Sequence, residues 1–300
     1  MSSAEPVVAH GYPYLKGHGT QNDFVLLPDH DGGLHGRLDD VRVRALCHRR
    51  AGIGGDGVLR VIRTEALARV VGEPELADQH AEWFMDYRNA DGSLSEMCGN
   101  GIRVFGRHLA EAGLADPAGP VPVGTRDGVK VLTFADGAVD GEITVDMGTP
   151  RLLGDTAVSI DDLRWSAVGV DLGNPHAVAF LGPDQDLATV GPLLTPPEHD
   201  AELYPHGVNV EFVVRRGEHH VAMRVHERGS GETRSCGTGA CAVMVATAVA
   251  DGADGGPDGV RDTPYRVDLP GGSLSITWTG EDRILMTGPA VVVAAGTTAL

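Results

Sequence analysis

Apolar and polar positions alternate along much of the chain in short runs rich in β-branched residues, punctuated by Gly, Pro, Asn and Asp, and such runs read as strands. The pattern predicts strands over Phe24 to Leu27, Val58 to Ile62, Trp83 to Tyr87, Val129 to Phe134, Glu142 to Met147, Ala177 to Leu181, Val208 to Val214, Val221 to His226 and Ser273 to Trp278. Helical periodicity is clearest over Val41 to Arg50, over Ile102 to Ala112 stopped by Gly113, and over Ala240 to Ala250 stopped near Gly252. The segment from Ile102 is the more amphipathic, whereas Ala240 to Ala250 is apolar nearly all round. A helix without a polar face must be enclosed on every side, so a sheet is expected to wrap it.

The chain also echoes itself. Met97-Cys98-Gly99-Asn100-Gly101 is matched 138 residues later by Ser235-Cys236-Gly237-Thr238-Gly239, and each C-G-x-G is followed at once by a helical segment. Asn89 and Glu227 each lie nine residues before their cysteine, and Asn22-Asp23-Phe24 pairs more weakly with Asn174-Pro175-His176. Repetition of strand, glycine loop, cysteine and helix predicts two similar halves related by pseudo-symmetry, with a boundary near Gly148-Thr149-Pro150. The length of 300 residues agrees with two domains.

Composition narrows the function. A formal charge of −18 repels polyphosphates and anionic lipid surfaces, which argues against nucleic-acid and membrane partners. The N-terminal MSSAEPVVAHGYPY lacks a basic region and a continuous apolar stretch, and Ala240 to Ala250 is too short to span a bilayer, so a cytoplasmic protein is expected. The four cysteines form no C-x-x-C pair and make a poor disulfide framework. Cys47 and Cys241, inside helical segments, read as small buried hydrophobes. The Gly229 to Gly239 stretch lacks the lysine of a phosphate-binding loop.

Cys98 and Cys236 differ because each stands where a helix begins, among unpaired N–H groups at the positive end of its dipole. Such a place favours a thiolate and an anionic ligand, and is expected to lower the thiol pKa. Glycines flanking Asn100 and Thr238 let backbone N–H groups approach a carboxylate closely. If the halves face one another, two sulfurs flank one cleft and a bound amino acid presents its Cα between them. One thiolate then removes the Cα proton and the opposite thiol returns another, giving inversion directly. Neither a metal nor an organic cofactor is called for.

The runs His18-Gly19-Thr20-Gln21-Asn22-Asp23-Phe24, Asn89-Ala90-Asp91-Gly92, Cys98-Gly99-Asn100-Gly101, Gly173-Asn174-Pro175-His176 and Glu227-Arg228-Gly229 through Cys236-Gly237-Thr238-Gly239 resemble, in order, the diaminopimelate epimerase family. The resemblance implies an α+β fold of two pseudo-symmetric domains, residues 1–148 with a return of 288–300 and residues 149–287, each a mixed barrel-like sheet around a central helix. It implies interconversion of LL- and meso-2,6-diaminopimelate in lysine and peptidoglycan precursor synthesis, by a homodimer without metal or organic cofactor. Cys98 and Cys236 are then the acid and base pair, assisted by His176 and Glu227. Asn22, Asn89, Asn174, Asn209, Glu227 and Arg228 would bind the distal amino-acid end, while Gly99, Asn100, Gly237 and Thr238 hold the reacting carboxylate. Many family members carry Gln in the Gly54-Gly55-Asp56-Gly57 region, where this chain has Gly57, and His226 replaces an aromatic residue that often precedes Glu-Arg-Gly. The alternatives are an epimerase of another amino acid, of the proline or hydroxyproline type, and a non-catalytic amino-acid-binding protein of the same fold.

Overall fold

The structure, a computed structural model, describes residues 11–252 and 261–300. Residues 1–10, read above for a targeting signal, lie outside the described residues.

The chain begins with β1 (Tyr12–Gly19), β2 (Asn22–Pro28), α1 (Asp40–Cys47), β3 (Gly57–Arg63), α2 (Thr64–Val71), β4 (Trp83–Asn89), α3 (Gly99–Glu111), β5 (Val121–Thr125), β6 (Gly128–Phe134) and β7 (Ile143–Asp146). It continues with β8 (Arg151–Ile160), β9 (Leu163–Asp171), β10 (Pro175–Phe180), β11 (Asn209–Gly217), β12 (His220–Glu227), β13 (Gly231–Thr233), α4 (Gly237–Ala250), β14 (Pro264–Leu269), β15 (Gly272–Trp278), β16 (Ile284–Gly288) and β17 (Val291–Thr298). Each of the nine strands predicted from alternation overlaps an observed strand.

The pairings carry the pseudo-symmetry. From β17 through β1 to β7 they run antiparallel, antiparallel, parallel, antiparallel, parallel, antiparallel, antiparallel. From β8 to β16, leaving the short β13 aside, the series is the same. The last strands of the two series, β7 and β16, pair antiparallel and join everything into one sheet. β17, the last strand of the chain, fills in the first half the place that β8 fills in the second.

Each half curls around its own helix. α3 packs on β1, β2, β3, β7 and β17, and α4 on β9 to β12 and β14 to β16. The interior of α4 is apolar on every face, with Ala240, Val243, Met244 and Val245 fully buried. Burial of a Val- or Met-sized side chain contributes roughly 1.5–3 kcal/mol, so enclosure rather than propensity stabilises this helix.

One expectation needs correction. The helix from Val41 ends at Cys47 instead of Arg50, because His48 turns the chain: it leaves the helical conformation and its Nδ1 accepts from the N–H groups of Arg50 and Ala51 at 3.2 and 2.9 Å. The more amphipathic helix is the centre of the first half, as the resemblance implies, and Gly99 to Ala110 are all buried. Its charged heads find interior acceptors: Arg103 donates to the Gly99 carbonyl (3.1 Å) and Asn100 Oδ1 (2.9 Å), and Arg107 to the carbonyls of Ala290 and Gly141 at 3.0 and 2.6 Å. Cys47 and Cys241 are buried hydrophobes, as read from their positions.

Candidate active site

Both helices begin at the C-G-x-G motifs themselves. Cys98 is the N-cap of α3 and its sulfur accepts from the Gly101 N–H at 3.4 Å; Cys236 caps α4 and accepts from the Gly239 N–H at 3.3 Å. The glycines keep the helix starts closely packed. A β-carbon at 99 would lie 2.6 Å from Met286 Cε, and one at 239 would lie 2.7 Å from Glu211 Oε1 and 3.2 Å from the Cys236 sulfur. Met286, on β16, also neighbours Gly237, so one side chain packs between the two helix starts.

Hydrogen bonds tie these starts together across the halves. Asn100 Nδ2 donates to Ser235 Oγ at 3.1 Å, and Ser235 Oγ shares a 2.6 Å hydrogen bond with Thr20 Oγ1. Thr20 has φ of 48°, a left-handed backbone that a β-branched residue adopts only under constraint, and its turn is gripped by the second half. Asn100 Nδ2 also reaches Asn22 Oδ1 at 3.2 Å, the same oxygen that accepts from the Cys98 thiol at 3.7 Å. Asn22 is held in turn by Asp56, whose carboxylate accepts from Asn22 Nδ2 at 2.7 Å. Arg49 bridges Asp56 and Asp23 and so fastens the loop before β3.

Around Cys236 the second half supplies a polar chain. Thr238 Oγ1 lies 3.5 Å from the Cys236 sulfur and accepts from Asn174 Nδ2 at 3.3 Å, while Asn174 Oδ1 is 3.1 Å from His176 Nε2. His176 and Glu211 are both fully buried and meet at 2.7 Å, Nδ1 to Oε1. Glu227, half-buried at the end of β12, accepts from the Thr233 hydroxyl. Asn209 is buried and its Oδ1 accepts from the Arg228 N–H at 2.9 Å. The Arg228 side chain is exposed and donates to the His206 carbonyl at 3.0 Å, and Asn89 Nδ2 donates to Ser93 Oγ at 3.0 Å; neither bonds to a cysteine. His226 is buried, and burial lowers its pKa.

The expectation of acidified thiols is corrected. Burial pushes Cys98 up to about 11 against the opposing N–H groups of Gly101 and Asn100, and the Glu227 charge adds to the rise. Cys236 is raised well above its usual value by burial and then by Glu227 and Glu211. Burial likewise raises Glu227, with the Glu211 charge beside it. Desolvation outweighs the helix dipole there, which is worth only about 0.3–2 kcal/mol.

Sequence reasoning missed Glu211, Ser235 as a bridge, and Thr20. Glu211 left one signal: a lone carboxylate in the apolar run Val208 to Val214. Among the described residues no cluster of three or more His, Cys, Asp or Glu is arranged to hold a metal ion, and no helix is long and apolar enough to cross a membrane.

Two half-barrels, each closed around a helix capped by a cysteine and joined at the helix starts, define a two-half α+β fold, and the relatives below make it that of an isomerase. The fold is similar to a phenazine biosynthesis protein of the PhzF family from Bacillus anthracis (TM-score 0.66, 16% identity, 96% of this chain and 98% of that one). It is equally similar to a hydroxyproline epimerase from Agrobacterium vitis (TM-score 0.65, 15% identity, 95% and 90%). The family model for diaminopimelate epimerase matches residues 14–153 and 168–293, and the chain belongs to that family. It is 55% identical to the diaminopimelate epimerase of Streptomyces coelicolor over 94% of each chain. It is 48% identical to that of Rhodococcus jostii, over 95% of this chain and 96% of the relative.

Proposed function

We propose that the chain interconverts LL- and meso-2,6-diaminopimelate, with Cys98 and Cys236 exchanging the roles of base and acid. The observation that carries this reading is the hydrogen-bonded contact of the two helix starts through Asn100, Ser235 and Thr20, each start capped by a cysteine.

In the proposed step, one thiolate takes the Cα proton from one face and the C–H electron pair spreads into the carboxylate. Groups at Gly99, Asn100, Gly237 and Thr238 hold that carboxylate, and their hold strengthens as its charge grows. The opposite thiol gives its proton to the other face, leaving a thiol where the thiolate was and a thiolate where the thiol was. Because burial raises both thiols, the substrate ammonium and the helix N–H groups must offset the burial of one thiolate. Asn22, Asn89, Asn174, Asn209, Glu227 and Arg228 bind the distal amino-acid group, and His176 and Glu227 assist proton movement near Cys236. The unpaired state of both cysteines supports a reducing, cytoplasmic setting. A homodimer is supported by the exposed apolar edge strand β17, where Val291 and Val293 face solvent.

Incubation with LL-diaminopimelate and, separately, with L-proline in D2O tests the substrate. Deuterium is expected at Cα of diaminopimelate alone, and Cys98→Ala and Cys236→Ala each lower turnover by at least about 10³-fold. Exchange with proline only assigns the protein to another substrate, and binding without exchange makes it a binding protein.

A further inference from the structure

Arg103, one turn into α3, is fully buried, and among the described residues its guanidinium meets no carboxylate. Its partners are the Gly99 carbonyl at 3.1 Å, Asn100 Oδ1 at 2.9 Å and the Met286 sulfur at 3.5 Å, and its Nε has no partner. Burial pulls its pKa down to about 10, which leaves it a cation at neutral pH. A sealed cation without an anion is costly. The architecture does not demand it, because the matching place 138 residues on, in α4, is taken by Cys241, equally buried and a neutral thiol.

Close walls hold the guanidinium in place. A β-carbon at Gly19, at the end of β1, would lie 3.1 Å from Nη2, and one at Gly288, at the end of β16, 3.7 Å from Cζ and Nε. From there Arg103 grips the first turn of α3 from behind. An arginine only donates, so Asn100 turns Oδ1 toward it and Nδ2 away, toward Ser235 Oγ at 3.1 Å and Asn22 Oδ1 at 3.2 Å. A β-carbon at Gly237 would lie 3.6 Å from the same Asn100 Oδ1, so the oriented amide stands where the two helix starts meet.

We infer that Arg103 is a positioning residue of the reaction: acting through Gly99 and Asn100, it fixes the first-half side of the carboxylate cradle and adds a full positive charge to the α3 start. A fixed charge behind the cradle favours the state in which the C–H electron pair has spread into the carboxylate, and it needs no reorganisation when that charge forms. The support is one-sided, since α4 offers only a thiol at the matching place.

The inference rests on the activity proposed above, and the test separates the two. Arg103→Lys keeps the charge, Arg103→Gln keeps a donor without charge, and Arg103→Met keeps neither. With diaminopimelate, kcat is expected to fall about 10²-fold or more in the two neutral variants, and Arg103→Lys to recover at least about tenfold of that loss. Tm is expected to follow a different order, with Arg103→Met, apolar in an apolar core, no less stable than Arg103→Lys. A neutral variant within about threefold of wild type in kcat overturns the inference, as does an Arg103→Lys no faster than Arg103→Met. Loss of the cooperative thermal transition in both neutral variants overturns it too, by assigning the guanidinium to folding. A wild-type protein inactive on diaminopimelate defeats the proposed activity instead, before any variant is compared.

Discussion

A carboxylate sealed inside a protein is costly unless a partner holds it, and Glu211 meets His176 at 2.7 Å with its other oxygen unpaired. The pairing fixes which nitrogen of His176 faces the carboxylate and turns Nε2 toward Asn174, which reaches Thr238 and through it Cys236. Glu211 is thus a positioning residue acting through the imidazole. Replacement by Gln keeps the shape and removes the charge, so Glu211→Gln is expected to lower kcat about 10²-fold with KM within about threefold. Steady-state kinetics read both constants, and a kcat within twofold of wild type would show that His176 needs no charged partner. Cys98, Cys236 and their glycines were legible because a helix start with close backbone approach demands those residue types in that order. The Glu211 to His176 contact was not, because it joins positions 35 residues apart through the parallel register of β10 and β11.

The helices show what periodicity can and cannot reveal. α4 announces its central place by having no polar face, whereas α3 carries Arg103, Arg107 and His108 inward and so looks like a surface helix. The burial is explained by the acceptors that receive the two guanidinium groups: Gly99 and Asn100 of the helix's own first turn for Arg103, and the distant Ala290 and Gly141 carbonyls for Arg107. His108 has no such partner: its Nε2 is buried without a hydrogen bond, and burial lowers its pKa to about 4. In the unfolded chain an imidazole titrates near 6.5, so between about pH 6.5 and 4 the unfolded state holds the extra proton. The stability linked to neutral His108 is therefore complete above pH 6.5 and is lost as pH falls, by up to about 3 kcal/mol. Urea unfolding at pH 7 and pH 5 is expected to show wild type losing about 2 kcal/mol more than His108→Gln between the two. Equal losses in both proteins would mean that this imidazole is not the group that titrates.

The whole molecule is one sheet with two centres. Internal repetition in the sequence disclosed the two halves, because each repeats a cysteine at a helix start; strand order was hidden, because pairings such as β12 with β14, β1 with β17 and β7 with β16 join strands that are not consecutive in the chain. The seam between β7 and β16 and the bridge through Ser235 set the halves against each other over the cleft. At one border of the sheet, β17 pairs among the described residues only with β1, and Val291 and Val293 are 44% and 56% exposed. An apolar strand at an open border is a ready template for pairing or packing with another chain. Val293→Asp is expected to shift the protein from dimer to monomer at about 10 μM in sedimentation velocity with little change in Tm. A variant that stays dimeric, or a wild type already monomeric, excludes this face.

The placement of β17 also sets the order of events at the ribosome. The strand that flanks β1 is synthesised after the whole of the second half, so the N-terminal barrel emerges with one border bare and waits, while the other half is made, for its final stave. Truncated or stalled chains ending before Val291 would expose the border of β1 along with the inward face of α3 that β17 covers. The first half is thus closed only after the second half has been made.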